Sequence, residues 1–570
     1  MKTFIQSALG AVLLFTTVSL PYPASGRDSK QEARLDWWRE AKFGMFIHWG
    51  LYSEAGGVWK GRQVDDLGEQ IQRFAKIPKA EYEELAPRFN PVAFDPDAWV
   101  ALAKSAGMRY IVITTKHHDG FCMFNSKLSD FTITKATPFK RDPIKLLSEA
   151  CARVGIGFGV YFSNIDWHFP GAVPQDFNHL SVFDTISEAH NRYNLGQIEE
   201  LLTGYGPLVE VFFDMGKPKL EQSIEWATLV HKLQPNCLVN GRVMNNQGDF
   251  LTMPDNKVPE VAIPQAWEAP STLYHWSEKE IPGWNNAKMD TWGYKSGIIR
   301  PDLKVQVAKQ IRKMVSVISR GGNFVLNVGP NGKGEIIPYE QDVLKTMGAW
   351  VEAHQEALFG TAHDPFKKLE WGHCTVKGKT LYFFVVNWPK ERLLRIPGLK
   401  SEIKSAELLT EKGSPLAYSK AGDDLIVTLP ANAPDDVCPV VAVELGSELA
   451  IVNPLVKPDK QGQITLTRKD AIAYGHYDGM QYTSLNPNVR YGWDFSTSRA
   501  GDYSVKVSAV GVTGILRINV GDQNVELKPV SVDVITIHLP RNERLTLSLS
   551  GENPKQTIQG KIESVTLAPL

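Results

Sequence analysis

The feature that most constrains this chain is a repeating cycle in which an amphipathic helix delivers the chain to a short apolar run that ends in polar, titratable residues. The clearest case is Arg109 to Phe121, RYIVITTKHHDGF, where the β-branched and aromatic run Tyr110 to Thr114 leads into Lys116, His117, His118 and Asp119. An uninterrupted apolar strand of this kind is buried on both faces, as strands of a parallel sheet are. In parallel α/β architectures the carboxyl ends of strands face the loops that build binding sites. The residues that follow such runs are therefore the ones to examine for chemistry.

The same pattern recurs along the chain. Ser29 to Lys42 reads as a helix, Phe43 to Gly50 (FGMFIHWG) as a strand ending in His48, and Asp95 to Gly107 as a capped helix. Asp142 to Val154 and Ser187 to Tyr205 are helical in pattern, flanking the strand Gly155 to Ser163. Pro207 to Asp214 (PLVEVFFD) ends in a carboxylate, Asn236 to Arg242 (NCLVNGR) in a cation, and Val261 to Glu268 (VAIPQAWE) in a second carboxylate. The helix Leu303 to Ser319, the strand Gly322 to Val328 and the helix Pro338 to His354 complete the series. At least seven strands separated by helices predict an α/β fold with a catalytic (β/α)8-like (TIM) barrel over residues 27–360.

Beyond Ala362 the texture changes to short alternating runs (LYFFVVN, DLIVTLP, VVAVEL), which predict a β-sandwich over residues 361–450. A Pro-containing link, Val452 to Gln463, leads to a second all-β domain over residues 460–570. Tyr474, Tyr477, Tyr482, Tyr491 and Trp493 give that domain two readings, an accessory carbohydrate-binding module or a packing domain.

Composition excludes several classes. Net charge is -1 and charged residues make up 22% of the chain, which suits neither nucleic acid binding nor disorder. Residues 1–26 carry a lysine, the apolar run Ala8 to Leu20 and the small residues Ala24 to Gly26, the pattern of a signal peptide. No later segment is apolar enough to span a bilayer, so the expectation is an exported protein, periplasmic or secreted. Five cysteines without paired spacing predict neither a disulfide framework nor a structural zinc site.

Asp214 and Glu268 end separate strands of one predicted barrel, and a pair of carboxylates is the minimal equipment for cleaving a glycosidic bond. Trp267 would raise the pKa of Glu268 by desolvation and suit it to general acid work, while Arg242 and the histidines would keep Asp214 ionised. A salt bridge between Arg242 and one carboxylate is the structural alternative. A metallohydrolase built from His48, His117, His118 and Asp119 is a rival, weakened because consecutive residues of an extended segment point opposite ways.

FGMFIHWG, TTKHHDGF, FFD at Asp214, NGR at Asn240 to Arg242, WE at Trp267 and Glu268, WGY at Trp292 to Tyr294, and GGNFVLNVGP together resemble the retaining α-L-fucosidases of glycoside hydrolase family 29. The resemblance spans roughly residues 30–445. It implies an exo-acting, double-displacement enzyme that releases terminal L-fucose from fucosylated oligosaccharides or glycoconjugates, with Asp214 as nucleophile, Glu268 as acid/base and no cofactor or metal. His48, His117, His118 and Arg242 would bind the fucose hydroxyls, with Trp59, Phe212 and Tyr161 as further contacts. Met215 stands where the family usually has Gly, Phe212 where it has Trp, and the Trp59 loop (GGVWKG) lacks the usual acidic residue. The insertion after Glu268 makes Glu278 and Glu280 competing acid/base residues. A noncatalytic glycan-binding protein and an α-galactosidase are the remaining alternatives.

Overall fold

The computed structural model describes residues 29–171, 180–259, 265–366, 369–452, 455–475, 489–510, 515–527, 535–541, 545–551 and 561–570. The signal peptide expected at residues 1–26, and Tyr477 and Tyr482, lie outside them.

Eight parallel strands form a single curled sheet: β1 (Phe43–Ile47), β2 (Tyr110–Lys116), β3 (Gly157–Ser163), β4 (Glu210–Asp214), β5 (Leu238–Val239), β6 (Leu251–Thr252), β7 (Trp267–Thr272) and β8 (Asn323–Val328). Their spatial order is β5-β4-β3-β2-β1-β8-β7-β6. A parallel bridge between Asn240 and Phe250 joins the two edge strands, and the Asp249 N–H donates to the Val239 carbonyl at 2.7 Å. The sheet thus closes on itself, as the sequence predicts.

Around it lie α1 (Ser29–Ala41), α2 (Pro96–Ser105), α3 (Pro143–Val154), α4 (Glu188–Gly204), α5 (Leu220–Leu233), α6 (Leu303–Ser319) and α7 (Pro338–Leu358). Their starts follow from local chemistry. Asp95 and Asp142 cap α2 and α3 by accepting the N–H groups of Ala98 and Lys145, and each is followed by a proline whose fixed φ suits the first helical position. Among the described residues no long helix separates β5 from β6 or β6 from β7, so the barrel departs there from strict βα alternation.

Three strand boundaries correct the sequence reading. Arg242 lies on a 3-10 turn, Gly241–Val243, beyond a strand of only two residues. The two-residue strand β6 is too short to leave a periodic signature. Most consequentially, β7 begins at Trp267, so Glu268 lies near the strand's amino end and not at its carboxyl end.

Side chains fill the barrel interior. Phe46, Tyr110, Val112, Tyr161, Phe212, Trp292 and Val325 form one buried cluster, with Tyr110 below and Trp292 above. The β1 backbone passes so close to the Tyr110 ring that a Cβ on Gly44 would sit 2.6 Å from it. Beyond the barrel, Gly372–Lys377, Thr380–Val385, Val440–Leu445 and Ile403–Leu408 form a four-stranded antiparallel sheet, with a three-stranded sheet beside it. Residues from Ile464 onward form two further antiparallel sheets, of four and five strands. There Tyr491 and Trp493 are buried core residues, so they cannot be exposed sugar-stacking platforms. All five cysteines are free and buried, and among the described residues no helix is long and apolar enough to cross a membrane.

Gly44→Ala should destabilise the fold by ~1–3 kcal/mol, because the added methyl meets a ring locked in a packed interior. A thermal melt that leaves the midpoint unchanged would contradict this packing.

Candidate active site

A cavity opens at the carboxyl end of the barrel, lined among others by His48, Glu69, His117, His118, Tyr161, Phe212, Asp214, Arg242, Asp255 and Trp292. Asp214 is the last residue of β4, and its carboxylate is held from two sides. The Tyr161 hydroxyl donates to one oxygen at 2.8 Å and Arg242 Nη1 to the other at 2.9 Å. Burial alone would raise this carboxyl's pKa, but the Arg242 guanidinium, His118 and the two hydrogen bonds outweigh it and hold it below the usual range. The product is a fixed, ionised carboxylate at the cavity wall.

Arg242 serves a second carboxylate with its other nitrogen. Nη2 donates to Asp255 Oδ1 at 2.5 Å and to the Met253 carbonyl at 3.0 Å. One guanidinium therefore bonds both Asp214 and Asp255. Asp255 keeps 39% of its side chain exposed, which places it toward the mouth.

The histidines are neutral, and the neighbours of two of them fix the tautomer. Asn327 donates its amide to the Trp292 carbonyl at 2.7 Å, so its oxygen faces His48 and accepts from Nδ1–H at 2.7 Å. Ser163 donates to the Ile165 carbonyl, so it accepts from His118 Nδ1–H at 2.8 Å. Both rings are left with a bare Nε2 able to accept a hydroxyl proton. Burial pushes the His48 pKa down to about 3, that of His118 to about 4, and that of His117 well below its ordinary value. Both His117 and His118 line the cavity, against the expectation of opposite pointing, because the chain has left the extended conformation after Lys116. Asp119 is instead engaged by the Tyr82 hydroxyl at 2.6 Å and by the Phe121 N–H. Among the described residues no group of three or more His, Cys, Asp or Glu is placed to hold a metal ion.

Glu268 is not among the lining residues. It pairs in register with Asn323, the first residue of β8, and accepts from the hydroxyl of Tyr110, the first residue of β2, at 2.7 Å. It thus lies on the barrel floor, where Glu210 is its other acidic neighbour. Glu278 and Glu280 are exposed, and Glu280 is paired with Lys309 at 2.9 Å. Trp59 sits on a short hairpin with Lys60 over its ring, also outside the lining.

Glu69 and Asp255, absent from the sequence reading, supply the cavity's other carboxylates. Glu69 accepts the N–H groups of Trp292 and Gly293 at 3.1 and 3.0 Å, and burial pushes its pKa up to about 7. No strand ends at either residue, so the strand-end rule passes over both.

With this geometry in view, a family model described as α-L-fucosidase matches residues 16–356. The chain belongs to the α-L-fucosidase family. By that membership it is a glycoside hydrolase. The tissue α-L-fucosidase of Bos taurus is 27% identical over 423 residues, covering 70% of this chain and 85% of that protein. The crystal structure of an α-L-fucosidase from Vibrio sp. strain EJY3 is 30% identical with a TM-score of 0.69, covering 95% of this chain and 98% of that one. A family 29 α-L-fucosidase from Bacteroides thetaiotaomicron, a trapped covalent intermediate in complex with 2-fluoro-fucosyl fluoride, is 26% identical with a TM-score of 0.64, over 74% and 97% of the two chains.

The floor position of Glu268 has a measurable consequence. Burial raises the pKa values of Glu268 and Glu210, and repulsion from Glu268 adds to the rise at Glu210. The folded state therefore binds more protons than the unfolded chain above the ordinary glutamate pKa of about 4.3, so stability falls as pH rises through that window toward the raised values. Glu268→Gln should flatten this fall in melting temperature while retaining glycoside hydrolysis. A variant that keeps the wild-type pH slope, or that loses turnover with the fold intact, would contradict the assignment.

Proposed function

We propose that the protein is an exo-acting, retaining α-L-fucosidase, with Asp214 as nucleophile and Asp255 as acid/base. The observation that carries this reading is the Arg242 fork, which bonds Asp214 and Asp255 and so brings two carboxylates, the pair that double displacement uses, to one cavity. Asp214 is the buried, ionised member, suited to attack an anomeric carbon. Asp255, open to solvent at the mouth, is placed to protonate a departing oxygen and then to activate the incoming water. The covalent intermediate trapped in the Bacteroides relative supports the same two-step route.

Fucose selection follows from the walls. The bare Nε2 atoms of His48 and His118 accept hydroxyl protons, and Arg242 and His117 add further polar contacts. Phe46, Leu67, Phe212 and Trp292 make an apolar corner within the same cavity, a seat for the C5 methyl of a 6-deoxy sugar. The substrates are fucosylated oligosaccharides or glycoconjugates, and the leader-like amino terminus supports an exported enzyme.

Asp214→Ala should lower turnover of an aryl α-L-fucoside by about four orders of magnitude or more, with added azide restoring a fucosyl azide product. Asp255→Asn should lose far more activity on alkyl or glycosyl fucosides than on aryl fucosides with good leaving groups, because the latter need less protonation. If Glu69→Gln shows that leaving-group signature and Asp255→Asn does not, the acid/base assignment is wrong. If Asp214→Ala keeps wild-type turnover, the nucleophile is wrong.

A further inference from the structure

Lys295 is a lysine buried to 1% exposure, and its ammonium meets no carboxylate at ion-pair distance among the described residues. Instead Nζ donates to two backbone carbonyls, Asp66 O at 2.7 Å and Lys288 O at 2.8 Å. These acceptors belong to different loops: one follows β1, the other lies between β7 and α6. Removing an ammonium from water to satisfy two carbonyls is costly, so the position has to be justified by what it holds together.

The slot for its stem is built into the sequence. A Cβ on Gly57 would lie 2.7 Å from Lys295 Cγ, and a Cβ on Gly68 would lie 2.7 Å from the same atom. Asp66 takes a left-handed φ of 65°, unusual for a residue with a side chain, and its N–H donates to the Ala287 carbonyl. That conformation presents the Asp66 carbonyl to the ammonium. Around this centre the two loops are stitched by Gly68 N–H to Thr291 Oγ1, by Ser296 N–H to Gly56 O, and by the Glu69 carboxylate to the Trp292 and Gly293 N–H groups.

What the clamp holds is one wall of the cavity. The first loop supplies Leu67, Glu69 and Gln70, and the second supplies Trp292. Leu67 and Trp292 flank the corner assigned above to the sugar methyl. We infer that Lys295 is a positioning residue that locks these two loops into one rigid wall and thereby sets discrimination at carbon 6 of the sugar. This rests on the fucosidase reading for its substrate. The clamp itself rests only on the packing.

The test uses the full chain and two variants that break the clamp by different routes. Lys295→Met keeps the stem and removes the ammonium, while Gly68→Ala keeps the ammonium and displaces the stem at a residue without left-handed φ. Hydrogen–deuterium exchange should show peptides across residues 56–70 and 286–297 losing protection together in both variants, with the barrel strands unchanged. The ratio of kcat/KM for an aryl α-L-fucoside over the corresponding α-L-galactoside, which differs only by a hydroxyl on carbon 6, should fall by about tenfold in both, chiefly through KM for the fucoside. Unchanged protection in the two loops would overturn the clamp. Equal loss on both sugars, with the ratio preserved, would overturn the specificity role. A wild-type protein that cleaves neither glycoside would defeat the fucosidase reading, and exchange would still decide whether the clamp exists.

Discussion

Everything at the mouth of this barrel depends on one guanidinium. Arg242 is buried, yet it satisfies Asp214, Asp255 and the Met253 carbonyl at once. Without it Asp214 would be an uncompensated charge in a low-dielectric wall, a situation that costs roughly 3–5 kcal/mol and is ordinarily relieved by taking up a proton. A protonated Asp214 could not attack carbon. The same fork bonds both acids at once, which the single ammonium of a lysine does less rigidly.

The rest of the cavity follows a division of labour set by burial. Desolvation drives the histidines to their neutral forms, and Asn327 and Ser163 choose the tautomers of His48 and His118, leaving each with a bare Nε2 able to accept a hydroxyl proton. Tyr161 contributes twice: its hydroxyl steadies Asp214, and its ring stacks on His117 and Phe212 with centroids 5.5 and 5.8 Å away. Met215, next to Asp214, takes a left-handed φ of 61°, a conformation that a glycine adopts without strain. Carrying a side chain there stores backbone strain beside Asp214.

Much of this was legible in the sequence because burial writes a periodic signal. Apolar runs ending in His48, in the His117–His118 pair and in Asp214 exposed both the barrel and four of its polar residues. Arg242 follows the neighbouring apolar run, although it lies on a 3-10 turn beyond that strand and not on the strand itself. Glu268 lies away from the position its local pattern suggests for a specific reason: AIPQAWE looks like a strand that ends in an acid, and the following proline and small residues (APST) look like a loop. The chain instead begins its strand at Trp267, which turns the carboxylate to the floor. Glu69 and Asp255 carry no local signal. Glu69 is positioned by backbone groups more than 220 residues away, at Trp292 and Gly293, and Asp255 by Arg242 across an irregular loop.

The central claim is that Asp214 becomes covalently bonded to the sugar. It is tested most directly by incubating the native protein with 2-deoxy-2-fluoro-α-L-fucosyl fluoride, digesting it and locating the attached 2-fluorofucosyl group by mass spectrometry. The account predicts one label, as an ester on Asp214. A label on Glu69, Asp255 or any other carboxylate, or turnover of fucosides with no label formed, would contradict it.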